Sequence, residues 1–368
     1  MNQGGPDPPG FRPPLPRHIL TFVSDTDVAI IGAGPIGIEL AVALKQAGLD
    51  YLHLEAGQIG QTIYDFPPQM RFFSSPQRIA IAGVLIHTAD QSRCRREEYL
   101  AYLRSVVEQY DLEINTFQRI IDIVPEHGGF RLVGETSRGE RRTHHTKKII
   151  IATGGTSRPR TLGIPGEDMP HVDHHLRDPH RYFRRRIVIV GGRNSAVEAA
   201  LRCHHAGADV TMSYRGEAFP PDVKYWLLPE INMLIDSGRI HCHFETLPKA
   251  ITATHIALRP IDGGEAIYVP ADEVLLMIGY EADTTLLELA GVRLEGAERS
   301  PVLDERTMQT NVPGVFIAGT LSAGTQSEYG TFLENCHIHI DRILAALTGP
   351  PEGPPPPEAP GQTTQPET

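Results

Sequence analysis

The chain has 368 residues and a formal net charge of −11 at neutral pH, long enough for two domains that each bury a core and of the wrong sign for a nucleic-acid partner. Its four cysteines, Cys94, Cys203, Cys242 and Cys336, form no C-x-x-C pair, which points to a reducing, cytoplasmic compartment without structural disulfides. The N-terminal MNQGGPDPPG lacks the pattern of a signal peptide, and the nearly apolar residues 28–44 are interrupted by Gly, Pro and Glu39, so no membrane partner is expected.

Residues 1–22 and 349–368 are rich in Pro and Gly and are expected to be disordered tails. Order is expected near Phe22. A β-branched run then ends at Ile31 and meets Gly32, Gly34 and Gly37, the spacing G-x-G-x-x-G. A helical stretch closed by Gly48 and a second apolar run ending at Glu55 complete a strand–turn–helix–strand unit that binds a dinucleotide. Gly32 permits the sharp turn, Gly34 leaves room for a pyrophosphate, and Gly37 lets helix and strand pack closely. Pro35 lacks an N–H that the first helical turn would leave unpaired anyway, and Ile36 lies inside the same turn. The phosphates meet the remaining N–H groups and the positive end of the helix. Glu55 is placed for ribose hydroxyls.

Residues 58–84 have few helix or strand features but carry Tyr64, Phe66, Phe72 and Phe73 beside Thr62, Ser74 and Ser75. Such an aromatic loop packs either on a cofactor or on the core. The spacing predicts an amphipathic helix over 95–110, strands over 112–123 and 129–134, and a buried strand in KKIIIATGG (147–155), whose end at Thr153-Gly154 presents backbone to a ligand.

Residues 186–216 repeat the opening unit. A shift of 159 places Gly32 on Gly191, Gly37 on Ala196 and Ala47-Gly48 on Ala206-Gly207. Gly192, Asn194 and Ser195 fall in the second turn, and Arg193 replaces its middle glycine. The first copy ends in Glu55-Ala56 and the second in Tyr214-Arg215. An acid accepts from a free 2′-hydroxyl, whereas an arginine favours a 2′-phosphate. The second site is therefore expected to prefer NADPH over NADH, with Lys224 adding charge. Beyond it come a helix over 225–237, a strand in EVLLMIGY, the buried strand VFIAG (315–319), and a helix from Gly330 to Leu347. The paired histidines His174-His175, His204-His205, His241/His243 and His337/His339 lack companions at metal spacing, so they are read as surface residues and no metal is expected.

Two such units, the second nested in the first, resemble the flavoproteins with two dinucleotide-binding domains. TIYDFPPQMRFFSS (62–75), VGGRNSAVEAAL (190–201), SYRGEAFPPDVKYWLLP (213–229), MIGY (277–280) and FIAGTLSAG (316–324) are similar to the bacillithiol disulfide reductases of YpdA type, a thioredoxin-reductase-like family. The resemblance implies an α/β fold of two Rossmann-like domains: an FAD-binding domain over 23–157 and 285–348, with an NADPH-binding domain over 158–284 inserted. It implies hydride transfer from NADPH to FAD and onward to an acceptor, a small thiol disulfide. Gly32, Gly34, Gly37 and Glu55 would hold the ADP half of FAD, with Thr62 at the isoalloxazine and Gly319 and Thr320 at the ribityl chain. Gly191, Asn194, Ser195, Ala196 and Arg215 would hold NADPH.

Two departures stand out. Thr320 replaces an Asp common in the wider superfamily, and Ile36 replaces a cysteine that the family carries inside the first fingerprint. Cys336, in the final helical segment, is left as the candidate thiol, against a reading as a core residue. A flavin monooxygenase and a non-catalytic redox sensor that keeps both nucleotides are the alternatives, and a homo-oligomer is compatible with the sequence.

Overall fold

The computed structural model describes residues 21–90, 92–327 and 330–349. The expected Pro-rich tails lie outside the described residues, apart from Thr21 and Phe22 in the first strand and Gly349 after the last helix.

Strand β1 (Thr21–Ile31) leads through the first glycine turn into helix α1 (Pro35–Gln46) and strand β2 (Tyr51–Leu54). The aromatic loop holds only two one-turn helices, α2 (Gln61–Tyr64) and α3 (Pro76–Ile79). Helix α4 (Arg96–Gln109) follows, its start fixed by Glu98, which accepts from the Arg95 amide at 2.7 Å. A meander of β3 (Gln118–Glu126), β4 (Gly129–Thr136) and β5 (Arg141–Ile151) completes this stretch. The strand expected from residue 112 starts only at Gln118, because Asp111 and Phe117 both adopt positive φ and break the extended run.

Short strands β6 (Arg158–Pro159) and β7 (Val172–Asp173) precede the second unit: β8 (Arg186–Val190), α5 (Asn194–His205) and β9 (Asp209–Ser213). Helix α6 (Leu228–Asp236) and β10 (His241–His243) extend it. The helix is shorter than the expected 225–237 because Pro229 occupies its first turn, where it belongs. An antiparallel sheet of β11 (Thr246–Ile251), β12 (His255–Pro260) and β13 (Ile267–Pro270) comes next, then β14 (Glu273–Leu276) and β15 (Tyr280–Glu281).

The chain closes with α7 (Thr285–Leu289), the ribbon β16 (Leu294–Glu295) with β17 (Ser300–Pro301), strands β18 (Leu303–Asp304), β19 (Gln309–Thr310) and β20 (Val315–Ile317), and helix α8 (Ile338–Thr348). The helix expected from Gly330 begins only at Ile338. Before it, Asn335 accepts from the Phe332 amide and donates to the Gly330 carbonyl, both at 2.8 Å, satisfying locally the groups a longer helix would use.

Two larger sheets result, the first mixed around a parallel centre of β20, β5, β1 and β2 and the second wholly parallel. The first runs β18-β19-β20-β5-β1-β2, with β4 and β3 added beside β5. Alternate side chains of its central strands face opposite ways. Val28, Ile30, Ile150 and Phe316 pack under α1, α4 and α8, while Ala29, Ile31, Ile149 and Ile317 pack against β3, β4 and the α7 segment. The second sheet, β10-β9-β8-β14-β7, carries α5 and α6 on one face and the antiparallel sheet on the other. The chain passes between the two sheets as β6 and β15, which pair with each other, Tyr280 opposite Pro159. This is the doubly covered parallel arrangement expected of two dinucleotide-binding units. Among the described residues, no helix is long and apolar enough to cross a membrane.

Candidate functional site

The first glycine turn lies at the carboxyl ends of β1, β5 and β20, where ligands bind in open α/β sheets. Gly32 has φ +110°, and a Cβ there would lie 2.6 Å from the Ala152 carbonyl oxygen. A Cβ on Gly37 would lie 2.0 Å from the Gly32 oxygen, whereas one on Gly34 meets nothing within 4 Å. Thus two glycines are required by the protein itself, and Gly34 borders open space. Gly34 is also the N-cap of α1 and supplies no side-chain cap, so the helix presents unpaired N–H groups there. Glu55 braces the turn from below: one carboxylate oxygen accepts from the Ala33 amide and the other from the Gly57 amide, both at 2.7 Å. A cradle of this shape, with an anion-seeking helix end and a carboxylate at the end of the second strand, fits the ADP half of a dinucleotide.

The other two strand ends complete the wall. Gly154 has φ +79° and Gly319 φ +77°. The Thr320 hydroxyl accepts from the Gly155 amide at 2.9 Å, tying the end of β5 to the end of β20. Ile36 packs beside Gly319, its Cβ 3.5 Å from where a Gly319 Cβ would be. Thr62 sits half-buried in α2, and Thr153 half-buried at the end of β5.

The second turn repeats the first. Gly191 has φ +136° and a Cβ there would lie 2.4 Å from the Met277 oxygen; at Gly192 it would lie 2.5 Å from the Tyr214 ring. Ala196 is fully buried, Ser195 is exposed at the helix start, and Arg193 at the N-cap of α5 gives no side-chain cap. Arg193 points to Asp222, 3.7 Å away. Arg215 is exposed just beyond β9. Lys224 is not beside it in role: its ammonium binds Glu198 at 3.1 Å and the Arg71 carbonyl at 3.3 Å, and it is almost completely buried. Asn194 uses its Oδ1 to accept from the Lys224 amide at 2.7 Å.

The aromatic loop divides its residues. Phe66 and Phe72 join the core under α4, with Phe72 4.8 Å from Tyr99. Phe73 stacks on Trp226 of the second unit at 5.9 Å, Arg202 donates to the Pro68 carbonyl, and Tyr64 is exposed. The loop is thus a bridge between the units.

The thiols and histidines depart from expectation. Cys336 is fully buried among core residues and, like Cys94, Cys203 and Cys242, has its thiol pushed up to about 12 by burial. A nucleophilic cysteine needs the opposite shift and access, so a relay through Cys336 is at odds with its placement. His337 and His339, read as surface residues, are buried. Their surroundings were hidden because each partner is remote in sequence: Glu39 faces His337 at 2.7 Å, and the Gly319 amide donates to His339 at 3.2 Å. His53, unnoticed in an apolar strand, is also buried and donates from Nε2 to the Gly32 carbonyl at 2.9 Å.

Burial holds His53, His144 and His339 at about 4. The unfolded chain takes up these protons near pH 6.5 and the native one does not, so stability present above about 6.5 is lost as pH falls toward about 4. For His53 alone this reaches roughly 3 kcal/mol at the acid end. Burial also works against the charged form of His337, but the Glu39 carboxylate raises it overall, an opposing contribution that fades as pH rises. A melting series from pH 8 to 4.5 is expected to show a steep fall below pH 6. A flat profile would show that these rings protonate without unfolding.

The sequence profile of the family described as pyridine nucleotide-disulphide oxidoreductase matches residues 29–319. The chain is 37% identical over 318 residues to the bacilliredoxin reductase Bdr of Bacillus subtilis (strain 168), covering 86% of this chain and 96% of that one. It is similar in structure to the bacillithiol disulfide reductase Bdr (YpdA) from Bacillus cereus, with a TM-score of 0.83 at 34% identity, covering 88% and 98% of the two chains. The corresponding enzyme from Staphylococcus aureus gives 0.82 at 31%, with the same coverage. With most of its length so matched, the chain belongs to the pyridine nucleotide-disulphide oxidoreductase family and is an oxidoreductase that works with FAD and NADPH.

Proposed function

We propose that the acceptor is a low-molecular-weight disulfide of the bacillithiol type, reduced at the expense of NADPH. The observation that carries this reading is the pair of glycine turns in register, each opening at an uncapped helix N-terminus, in a chain matching bacillithiol disulfide reductases over nearly their full length. In this reading residues 23–157 and 285–348 bind FAD, and 158–284 bind NADPH. When bound, the flavin supplies the two-electron chemistry between nicotinamide and disulfide. Overall, one NADPH and one proton convert one disulfide into two thiols and NADP⁺.

The chain's part is to bind and orient. Gly32, Gly34, Pro35, Ile36 and Gly37 bring the positive end of α1 to the pyrophosphate. Each Glu55 oxygen uses one lone pair on a backbone amide and keeps another for a ribose hydroxyl. Thr320 accepts from Gly155, which leaves its own proton to be donated to the ribityl chain. Thr62, Thr153, Gly154 and Gly319 border the same ligand. Gly191, Gly192, Asn194, Ser195 and Ala196 would form the NADPH turn, and Arg215, exposed just beyond β9, would pair with the 2′-phosphate. No thiol of the chain is reachable and acidic enough to join, so the disulfide is reduced without a protein cysteine.

The test is anaerobic. NADPH is expected to bleach the yellow holoenzyme, and bacillithiol disulfide to restore its absorbance with two thiols released per disulfide. Bleaching without recovery would move the search to other acceptors, oxygen and quinones first. Cys336→Ser is expected to leave thiol release unchanged; a loss of ten-fold or more with the flavin still bound would restore the cysteine relay.

A further inference from the structure

The three strand ends that face the first site are each held by a polar side chain behind them. His53 donates to the Gly32 carbonyl at the end of β1, and Thr320 accepts from Gly155 at the end of β5. At the end of β20, the Gly319 amide donates to Nδ1 of His339 at 3.2 Å, a buried bond from the first turn of α8. The same turn carries His337. Its Nδ1 lies 2.7 Å from a Glu39 carboxylate oxygen and its Nε2 3.1 Å from the Arg78 carbonyl. Both ring nitrogens therefore face acceptors, which fits an imidazolium paired with Glu39. The other Glu39 oxygen accepts from the Ala82 amide at 3.0 Å. Glu39 belongs to α1, the helix whose N-terminus is the anion site.

The geometry points to His339 as a positioning residue for the flavin. Its imidazole fixes the Gly319 amide and with it the approach of the Gly319-Thr320 turn to the cofactor, while His337 and Glu39 lock its helix to the fingerprint helix. The inference rests on the reading of this cradle as the FAD site. Gly319 stands at φ +77°, a conformation with little steric restraint of its own for glycine. A buried amide deprived of its acceptor turns or shifts to find another. At this position such a shift moves Thr320, and the Thr320–Gly155 bond with it. The ring must be an acceptor at Nδ1, and burial that keeps it neutral agrees with that role.

The position of the acceptor atom gives the test. Asparagine places its Oδ1 where Nδ1 stands, glutamine places Oε1 nearer Nε2, and leucine offers no acceptor. The holoenzymes of His339→Asn, His339→Gln and His339→Leu are compared with wild type by the visible flavin spectrum and by the rate of FAD release on dilution, followed by flavin fluorescence. Expected are wild-type bands and a release rate within about threefold for the Asn variant. The Gln and Leu variants are expected to show shifted bands and release faster by about tenfold or more. If the Leu variant does not fold, Asn against Gln decides. Equal spectra and rates in all the folded variants, or equal impairment in all of them, would overturn the inference. A wild-type protein that purifies without FAD would instead overturn the flavin assignment beneath it.

Discussion

Gly34→Ala is expected to leave the fold nearly unchanged and strip the protein of flavin, whereas Gly37→Ala is expected to damage both. At Gly34 the new methyl group enters open space, and the backbone at φ −75° suits alanine. The cost to the fold is no more than about 1 kcal/mol, that of a poorer N-cap residue. The same methyl occupies the place where the pyrophosphate would approach the helix end, so flavin content should fall about tenfold or more, the equivalent of at least about 1.4 kcal/mol of affinity. At Gly37 the methyl carbon would lie 2.0 Å from the Gly32 oxygen. No side-chain rotation relieves a clash with backbone, so α1 must move off β1. Overpacking of this kind costs about 3 kcal/mol or more, a fall in melting temperature of about 6 °C or more for a domain of this size. The ratio of flavin to protein absorbance and the melting temperature separate the two variants. Undiminished flavin in Gly34→Ala would remove the first turn from the cofactor site.

Arg215→Ala is expected to raise KM for NADPH by about 10- to 100-fold while leaving that for NADH within about twofold. A charge-assisted bond from a guanidinium to a phosphate contributes about 1.5–3 kcal/mol, and NADH offers no phosphate to lose. Arg215 is exposed, and no ion pair to it is seen among the described residues, so its replacement should leave the core intact. Lys224→Ala provides the contrast. That ammonium is held between Glu198 and the Arg71 carbonyl of the aromatic loop. Its loss is expected to loosen the contact between the two units and lower the melting temperature, with little change in the NADPH to NADH preference. If Lys224→Ala reverses the preference and Arg215→Ala does not, the phosphate contact has been placed on the wrong residue.

Local patterns carried much of the architecture. The shift of 159 residues aligns Gly32 with Gly191 and Gly48 with Gly207, and all four adopt positive φ, so the repeat in sequence is a repeat in backbone geometry. Ala196 can replace Gly37 because its methyl group finds space beside Gly191, 3.0 Å from where a Gly191 Cβ would be. Local pattern was silent where the partner lies far along the chain. Glu39 in an apolar helix and His337 near the C-terminus are each a single odd residue; only the fold joins them across 298 positions. Phe73 with Trp226, and Lys224 with the Arg71 carbonyl, are likewise contacts between units. Element ends were misjudged where a side chain bonded the backbone locally, as Asn335 does before α8, a competition that hydrophobic periodicity does not register.

Four thiols withheld from attack remove the usual point of entry for oxidative damage to cysteine. Sulfenylation, glutathione-like capping and alkylation all begin at an accessible thiolate. Cys94, Cys203 and Cys336 are fully buried, Cys242 is partly covered, and burial keeps all four protonated. Peroxide, which caps an accessible thiolate, is expected to find no such foothold here.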